Sequence, residues 1–501
     1  SIAVSVTAND GQSGLATSNT YKYYLNNSLK KTTTETSYTF EGLTSETSYE
    51  IKVEAYDKAN NKGMDTENVS TIPFEPGPTP EPEQGETQLS DADKANGVIE
   101  IKWLSGTSNK VSETPNAPQV KTISNGTMEL VRYTGEGSTE KERWVAGTEY
   151  SYIPGEGSSD NTSSKWANAR VTIDGIDSYF VWMPRYAYRI IYFDSGKSKK
   201  AYQEGTLTEA EAKAQGKIKG YSDSRGIVDS EGKKVANVTC TTKETVSEDY
   251  FMIHPAFLAD EDLGGGFGNN NGTNDNGISG IWIGKYETSG SSSQLKVQPN
   301  ESSLTGLKIG NMYTYAKAYS AELESHMLKN SEWGAVAYLT ESKYGRNGTE
   351  IGFNDNRSNI TGGGKNNAYA TANQDQSTTG NVYGIYDMSG GAGEKVASYY
   401  TGGNSTELNN GSSFTNTKTS DKYVTAYTGT SASTSYKYGD ATYETSGWHS
   451  DFDNFMYSDA PFFERGGISN GIASTSGVFS FFYTSGNAYS NISFRLALCV
   501  E

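Results

Sequence analysis

The chain has 501 residues, a formal net charge of −18, 34% hydrophobic residues and 20% charged ones. That length exceeds what one hydrophobic core supports and predicts two or three domains. The acidic balance, with no cluster of Lys and Arg among aromatics, excludes a phosphate-gripping nucleic-acid binder, and no apolar run is long enough for a membrane span.

Taken in chain order, residues 1–72 alternate like short strands: Ile2-Ala3-Val4-Ser5-Val6, Tyr21 to Leu25, Ser37 to Phe40 and Tyr49 to Tyr56. Turn residues separate them at the intervals of an all-β sandwich. Ser1 already falls inside the first run, as expected of a piece of a longer protein. The Pro/Glu-rich stretch 73–96, built around Pro73-Phe74-Glu75-Pro76-Gly77-Pro78, favours extended polyproline geometry and predicts a semi-rigid linker.

Residues 97–501 carry mixed signals. Strands are expected at Val98 to Leu104, Tyr179 to Pro184 and Gly280 to Tyr286. Thr208-Glu209-Ala210-Glu211 forms a capping box for a short helix, Ser331 is a candidate N-cap for a helix with Trp333, Val336 and Ala337 on one face, and Asn311 to Tyr319 is a third helix candidate. Gly264 to Gly280, Gly362 to Gly380 and Gly402 to Ser420 are rich in Gly, Asn, Ser and Thr and predict surface loops. Acidic runs at Asp260-Glu261-Asp262 and Asp451-Phe452-Asp453 fit solvated faces.

Cys240 and Cys499 are too few for a disulfide framework, and two unpaired core residues or one long-range bridge both remain open. The three histidines, His254, His326 and His449, lack metal-ligand spacing. No cofactor is expected.

The last tenth of the chain is the most informative. Between Arg465-Gly466-Gly467 and Ser493-Phe494-Arg495 there is no Lys, Asp, Glu, Gln, Met or Trp, and the composition is Ser, Asn, Thr, Gly, Tyr and Phe. Rigid aromatics among small polar residues are the palette of a binding surface.

Five pieces in order resemble the α+β C-type lectin-like fold of formylglycine-generating enzymes: Tyr179 to Arg185, Ile281 to Glu287, His326 to Trp333, Gly380 to Gly390, and Arg465-Gly466-Gly467 with Ser493 to Ala497. The first 72 residues resemble a fibronectin type III or Ig-like module through Leu43 to Tyr49 and the strand that follows. That oxidase chemistry needs a cysteine pair late in the domain, and here no cysteine precedes Cys499 in the terminal region. The sequence after Met388-Ser389-Gly390 also departs from the enzyme pattern, reading Gly391-Ala392-Gly393-Glu394-Lys395.

With this terminal segment, the chain resembles the variable proteins of diversity-generating retroelements. In them, adenine-directed mutagenesis of Asn codons yields many residue types but never Lys, Glu, Gln, Met or Trp. The resemblance implies a non-enzymatic, receptor- or adhesin-type surface protein with a variable region at about 466–493. Its diversified contacts would be Ile468, Asn470, Ile472, Ser474, Ser480, Phe482, Tyr483, Thr484, Ser485, Tyr489, Ser490, Asn491 and Ile492. The framework would include Arg465, Gly466, Gly467, Gly477, Val478, Phe479, Phe481, Gly486, Ala488 and Arg495. The implied partner is a protein or glycan ligand on another cell or surface, and the implied location is extracellular, on a bacterial surface or phage virion. A fixed-specificity glycan-binding lectin-like adhesin and, less favoured, a formylglycine-generating-type oxidase are the alternatives. Such folds often hold structural calcium; no residue here is assigned to it, and no metal site is expected.

Overall fold

The computed structural model describes all residues except 1, 12, 41–42, 44–46, 71–95, 156–160, 194–195, 204–205, 207–216, 219–226, 229–250, 271–274, 364–372, 416–421, 469–475 and 501. The chain is mostly β, with several sheets and few helices, and divides into two compact units, Ser1–Gln84 and Gly85–Glu501. Residues 73–95 of the expected linker and the helix expected at Thr208 lie outside the described residues, as does Cys240.

In the first unit, Ser28–Thr33, Tyr21–Leu25, Ser48–Tyr56 and Lys62–Ser70 form a four-stranded sheet, and Ile2–Ser5 pairs with Ser37–Phe40. Alternate residues of these strands, Tyr21, Tyr23, Ile51 and Val53, join Ile2 and Phe40 in one core, as the period of two requires.

The second unit is organised around a seven-stranded antiparallel sheet in the order Trp144–Ala146, Gly126–Tyr133, Asn168–Ile173, Ile176–Pro184, Gly280–Gly284, Leu496–Leu498, His326–Met327. Trp182 and Trp282 are register partners on its two central strands, with ring centroids 5.2 Å apart. A second sheet places Tyr186–Tyr192 beside Gly97–Leu104, and a third runs Thr425–Tyr427, Gly393–Tyr400, Phe462–Arg465, Phe481–Thr484. Ile492–Phe494 adds in parallel to Gly393–Tyr400.

The last strands therefore change sheets at Arg495. Its Nε donates to Glu394 Oε2 at 2.9 Å in the third sheet, and its Nη1 donates to the Gly284 carbonyl at 2.8 Å in the first. Nη2 reaches the other Glu394 oxygen and the Tyr386 carbonyl. Lys285, in the next register position after Gly284, is also fully buried. It donates to Asn168 Oδ1 at 2.8 Å and to the carbonyls of Val382 at 2.5 Å and Gly384 at 2.9 Å. Bulky cations buried this deeply persist because acceptors surround them.

Three expectations need correction. The helix Asn330–Glu341 is buried on every side rather than on one face, and Ser331 lies inside it; Glu332 Oε2 instead accepts from the Lys329 N–H at 2.8 Å. The expected loop at Gly402 to Ser420 contains helical turns over 405–415, with Phe414 in the core. Asp451, expected on a solvated face, is buried while its neighbour Phe452 is exposed.

Replacing Arg495 by Met would strand the Glu394 carboxylate, fully buried, without its cation, and is expected to cost about 3–5 kcal/mol. Urea unfolding followed by tryptophan fluorescence reads this unit alone, because all tryptophans lie within 97–501. A Glu394→Met, Arg495→Met double variant is expected to recover part of the loss.

Candidate functional site

The terminal segment is anchored from below by Arg465, which is fully buried and opposite Phe481 in register. Its Nη1 donates to Asn330 Oδ1 at 3.0 Å, and its Nη2 donates to the Ala441 carbonyl at 2.9 Å. Its guanidinium also lies over the rings of Trp333 and Phe481, at 5.5 and 5.6 Å. Trp333 Nε1 donates to the Val478 carbonyl at 2.7 Å, so one buried layer holds both limbs of the segment. Gly466 and Gly467 both have positive φ, 79° and 76°, and a Cβ at Gly467 would sit 2.2 Å from Ser476 Oγ. Only glycine takes that turn and permits that approach.

Along the strand Phe481–Thr484, Phe481 and Thr484 are buried, Tyr483 is half-buried and Phe482 is 36% exposed. Phe482 and Tyr483 stack at 4.3 Å with 25° between planes. Phe482 also meets Phe452 at 5.2 Å, and Tyr483 meets Tyr457 edge-on at 4.8 Å. Phe452 and Tyr457 are themselves 42% and 40% exposed. The result is a continuous ladder of rings, Phe452, Phe482, Tyr483, Tyr457, in which Tyr483 is half-buried and the other three are exposed. Tyr489, 41% exposed, lies further along the chain, where its hydroxyl is 3.0 Å from Ser485 Oγ and Lys395 Nζ lies 5.5 Å from its ring centre.

Of the residues expected to make contacts, Phe482, Tyr489 and Ser490 are exposed, and Ile468, Tyr483, Ser485 and Asn491 are half-buried. Ser480, Thr484 and Ile492 are buried and do not belong to the surface: Thr484 lies opposite Phe462 and Ile492 opposite Gly393 within the third sheet, and the Ser480 N–H donates to the Gly477 carbonyl at 3.1 Å in a tight turn. Asn470, Ile472 and Ser474 lie outside the described residues. Ala488, expected in the framework, is exposed. Sequence reasoning missed Phe452 and Tyr457, which sit ahead of the terminal segment. The Phe452 carbonyl accepts from the Phe481 N–H at 2.8 Å, and the Asn454 N–H donates to the Phe481 carbonyl at 2.9 Å, which brings that stretch alongside. The available signal was a pair of aromatics standing among acidic and small polar residues.

Beneath the ladder is a pair of facing acids. Glu350 and Asp451 both approach Gly477, whose Cβ would lie 2.1 Å from Glu350 Oε1 and 2.4 Å from Asp451 Oδ2. Asp451 Oδ2 accepts from the Phe479 N–H at 3.0 Å, which ties the pair to the segment. Burial and then the Asp451 charge push Glu350 up to about 9, and burial pushes Asp451 up to about 6. His449, stacked on Phe479 at 6.0 Å, bonds Glu341 at 2.9 Å. Burial alone would lower its pKa, but the Glu341 carboxylate outweighs that and raises it.

Chemically, the described surface offers apolar and π contact. Among the described residues there is no group of three His, Cys, Asp or Glu side chains that could hold a metal ion, and no helix is long and apolar enough to cross a membrane. No family model matches the chain, and no curated protein matches it.

Two outcomes follow from this geometry. Phe481→Ala, which opens a cavity, is expected to cost about 3–5 kcal/mol, whereas Phe482→Ala is expected to stay within about 0.5 kcal/mol in the same urea titration. The raised values of Glu350 and His449 mean that their contributions to stability are full in acid and decline as pH climbs, for Glu350 from the ordinary carboxylate range up to about 9. Melting temperature is therefore expected to fall less steeply between mildly acidic and alkaline pH in Glu350→Gln than in the parent chain.

Proposed function

We propose that this chain is a non-enzymatic, ligand-binding surface protein of the receptor or adhesin type, whose terminal region is diversified by a retroelement. In this reading the second unit is a C-type lectin-like domain of the formylglycine-generating-enzyme type and the first is a fibronectin type III or Ig-like presenter. The protein acts outside the cell, on a bacterial surface or a phage virion, and takes a macromolecular ligand.

The observation that carries the reading is the pairing of an open aromatic ladder with a rigid support drawn from the two flanking signatures. Phe482 and Tyr483 stand in a segment free of Lys, Asp, Glu, Gln, Met and Trp, while Arg465 and Arg495 fix its two ends by buried hydrogen bonds. A surface can vary in sequence without unfolding its domain only when its own side chains do little for stability, and exposed rings on a pinned strand meet that condition. Large aromatics with few rotatable bonds are also the commonest centres of binding energy.

The late active-site cysteines of the oxidase are missing, and the stretch that follows Met388-Ser389-Gly390 supplies Glu394, which serves as the carboxylate partner of Arg495. Incubation with a cysteine-containing peptide and oxygen is expected to leave the thiol unchanged; formation of an aldehyde would reverse the assignment. Sequencing the adjoining DNA tests the diversification. A near-copy of the codons for about 466–495, differing at adenine positions and lying beside a reverse-transcriptase gene, is the expected result. A lone gene without such a copy would favour a fixed-specificity binder.

A further inference from the structure

Half of the ring ladder comes from outside the terminal segment. Phe452 and Tyr457 precede Arg465-Gly466-Gly467, so the proposed diversification would leave them unchanged. The same short stretch supplies Asp453 and Asp459, both exposed. Asp453 forms a bridge with Phe481, one residue from Phe482, and Asp459 lies within the tight turn that joins Tyr457 to Ala460.

Each of these carboxylates has one oxygen engaged locally. Asp453 Oδ2 accepts from Ser446 Oγ, and Asp459 Oδ1 accepts from Asn404 Nδ2 at 2.5 Å and from Ser458 Oγ at 3.4 Å. Among the described residues, nothing donates to Asp453 Oδ1 or Asp459 Oδ2. From 451 to 493 the only cationic side chain is Arg465, which is fully buried. The exposed face of these segments is thus aromatic with a negative rim, on a chain whose net charge is −18.

We infer that Phe452, Asp453, Tyr457 and Asp459 form a constant anchor beside the variable contacts, and that the anchor takes a protein partner presenting Lys or Arg side chains on an apolar surface. This rests on the binding reading above and adds the class of partner to it. A guanidinium or ammonium placed on the ladder gains the attraction of the ring faces together with the charge of the rim carboxylates. Phosphate, sulfate and sialic acid would meet the same rim as like charges. On this division of labour the fixed stretch selects the chemical class, and the segment after Arg465 selects the individual.

The full chain and three variants, Phe452→Ala with Tyr457→Ala, Asp453→Asn with Asp459→Asn, and Phe482→Ala, are applied to an array of Arg- and Lys-bearing peptides with Gln-substituted twins, and to an array of neutral glycans. Tryptophan fluorescence and melting temperature verify that each variant is folded. The parent chain is expected to bind Arg- and Lys-bearing peptides over their Gln twins. Both double variants are expected to weaken that binding about tenfold or more, and the Asn variant is expected to flatten its salt dependence. Peptide binding that is unchanged by Phe452→Ala with Tyr457→Ala would reflect the overall acidity of the chain and overturn the anchor. Glycan binding that depends on Phe482 but is indifferent to the Asn substitutions would overturn the partner class and leave the binding reading standing. Ring-dependent binding on neither array would overturn both.

Discussion

The Arg495 guanidinium is the constraint on which the second unit depends. The chain leaves the third sheet at Phe494 and enters the seven-stranded sheet at Leu496, and the residue between them is hydrogen-bonded into both. An arginine suits this position because its planar fork spans two directions at once, whereas a lysine offers only a point charge. Its acidic partner Glu394 lies on Gly393–Tyr400, the strand that also receives Phe462–Arg465, so the positions of both arginines trace back to one strand. Glu394 and its neighbours Glu287 and Asp387 are pushed upward by burial, and the nearby Arg495 opposes that shift at each of them. Such a buried network contributes less to net stability than to fixing one arrangement of the sheets, because each member is costly unless every other is in place.

Much of this frame was legible in the sequence for a local reason. The runs at Tyr179 to Pro184 and Gly280 to Gly284 are apolar on both phases, as strands covered on both faces must be, and they became the central pair of the large sheet. Gly466, Gly467, Arg465 and Arg495, which the resemblance placed in the framework, are a positive-φ turn and two buried guanidinium anchors. What the sequence left hidden depends on contacts far apart along the chain. Phe452 meets Phe482 across thirty positions of sequence with no periodic signal to link them.

Polarity itself misled at two places. Asp451 is buried because Phe479 donates to it and Glu350 faces it, and neither contact leaves a trace within the local run Asp451-Phe452-Asp453. The Gly- and Ser-rich stretches looked unable to fill a core, yet Gly411 packs within 2.8 Å of Phe462 at the position of a Cβ and Phe414 closes against Tyr313 at 5.0 Å. Small residues there serve as clearance for large ones, which a count of apolar content cannot reveal. The helix Asn330–Glu341 carries the converse lesson: its polar residues are inside because Asn330, Ser331 and Glu332 each bond to another buried segment or cap.

Phe481 and Phe482, neighbours on one strand, sit in opposite environments. Along Phe481–Thr484, Phe481 faces Arg465 and Phe463 in the interior, while Phe482 faces Phe452 in solvent. Two chemically similar rings, adjacent in sequence, thus carry different burdens: one holds the strand down, and the other lies open to solvent. A shift of register by one residue would exchange them, burying the contact and exposing the anchor. The bonds from Phe481 to Phe452 and Asn454 on one side, and the pairing with Arg465 on the other, prevent that exchange. Because the register is set by backbone bonds to Phe452, Asn454 and Arg465, the proposed exchange of the outward ring would leave the inward one in place. The recognition surface proposed above, changing its residues while keeping its shape, would require that separation.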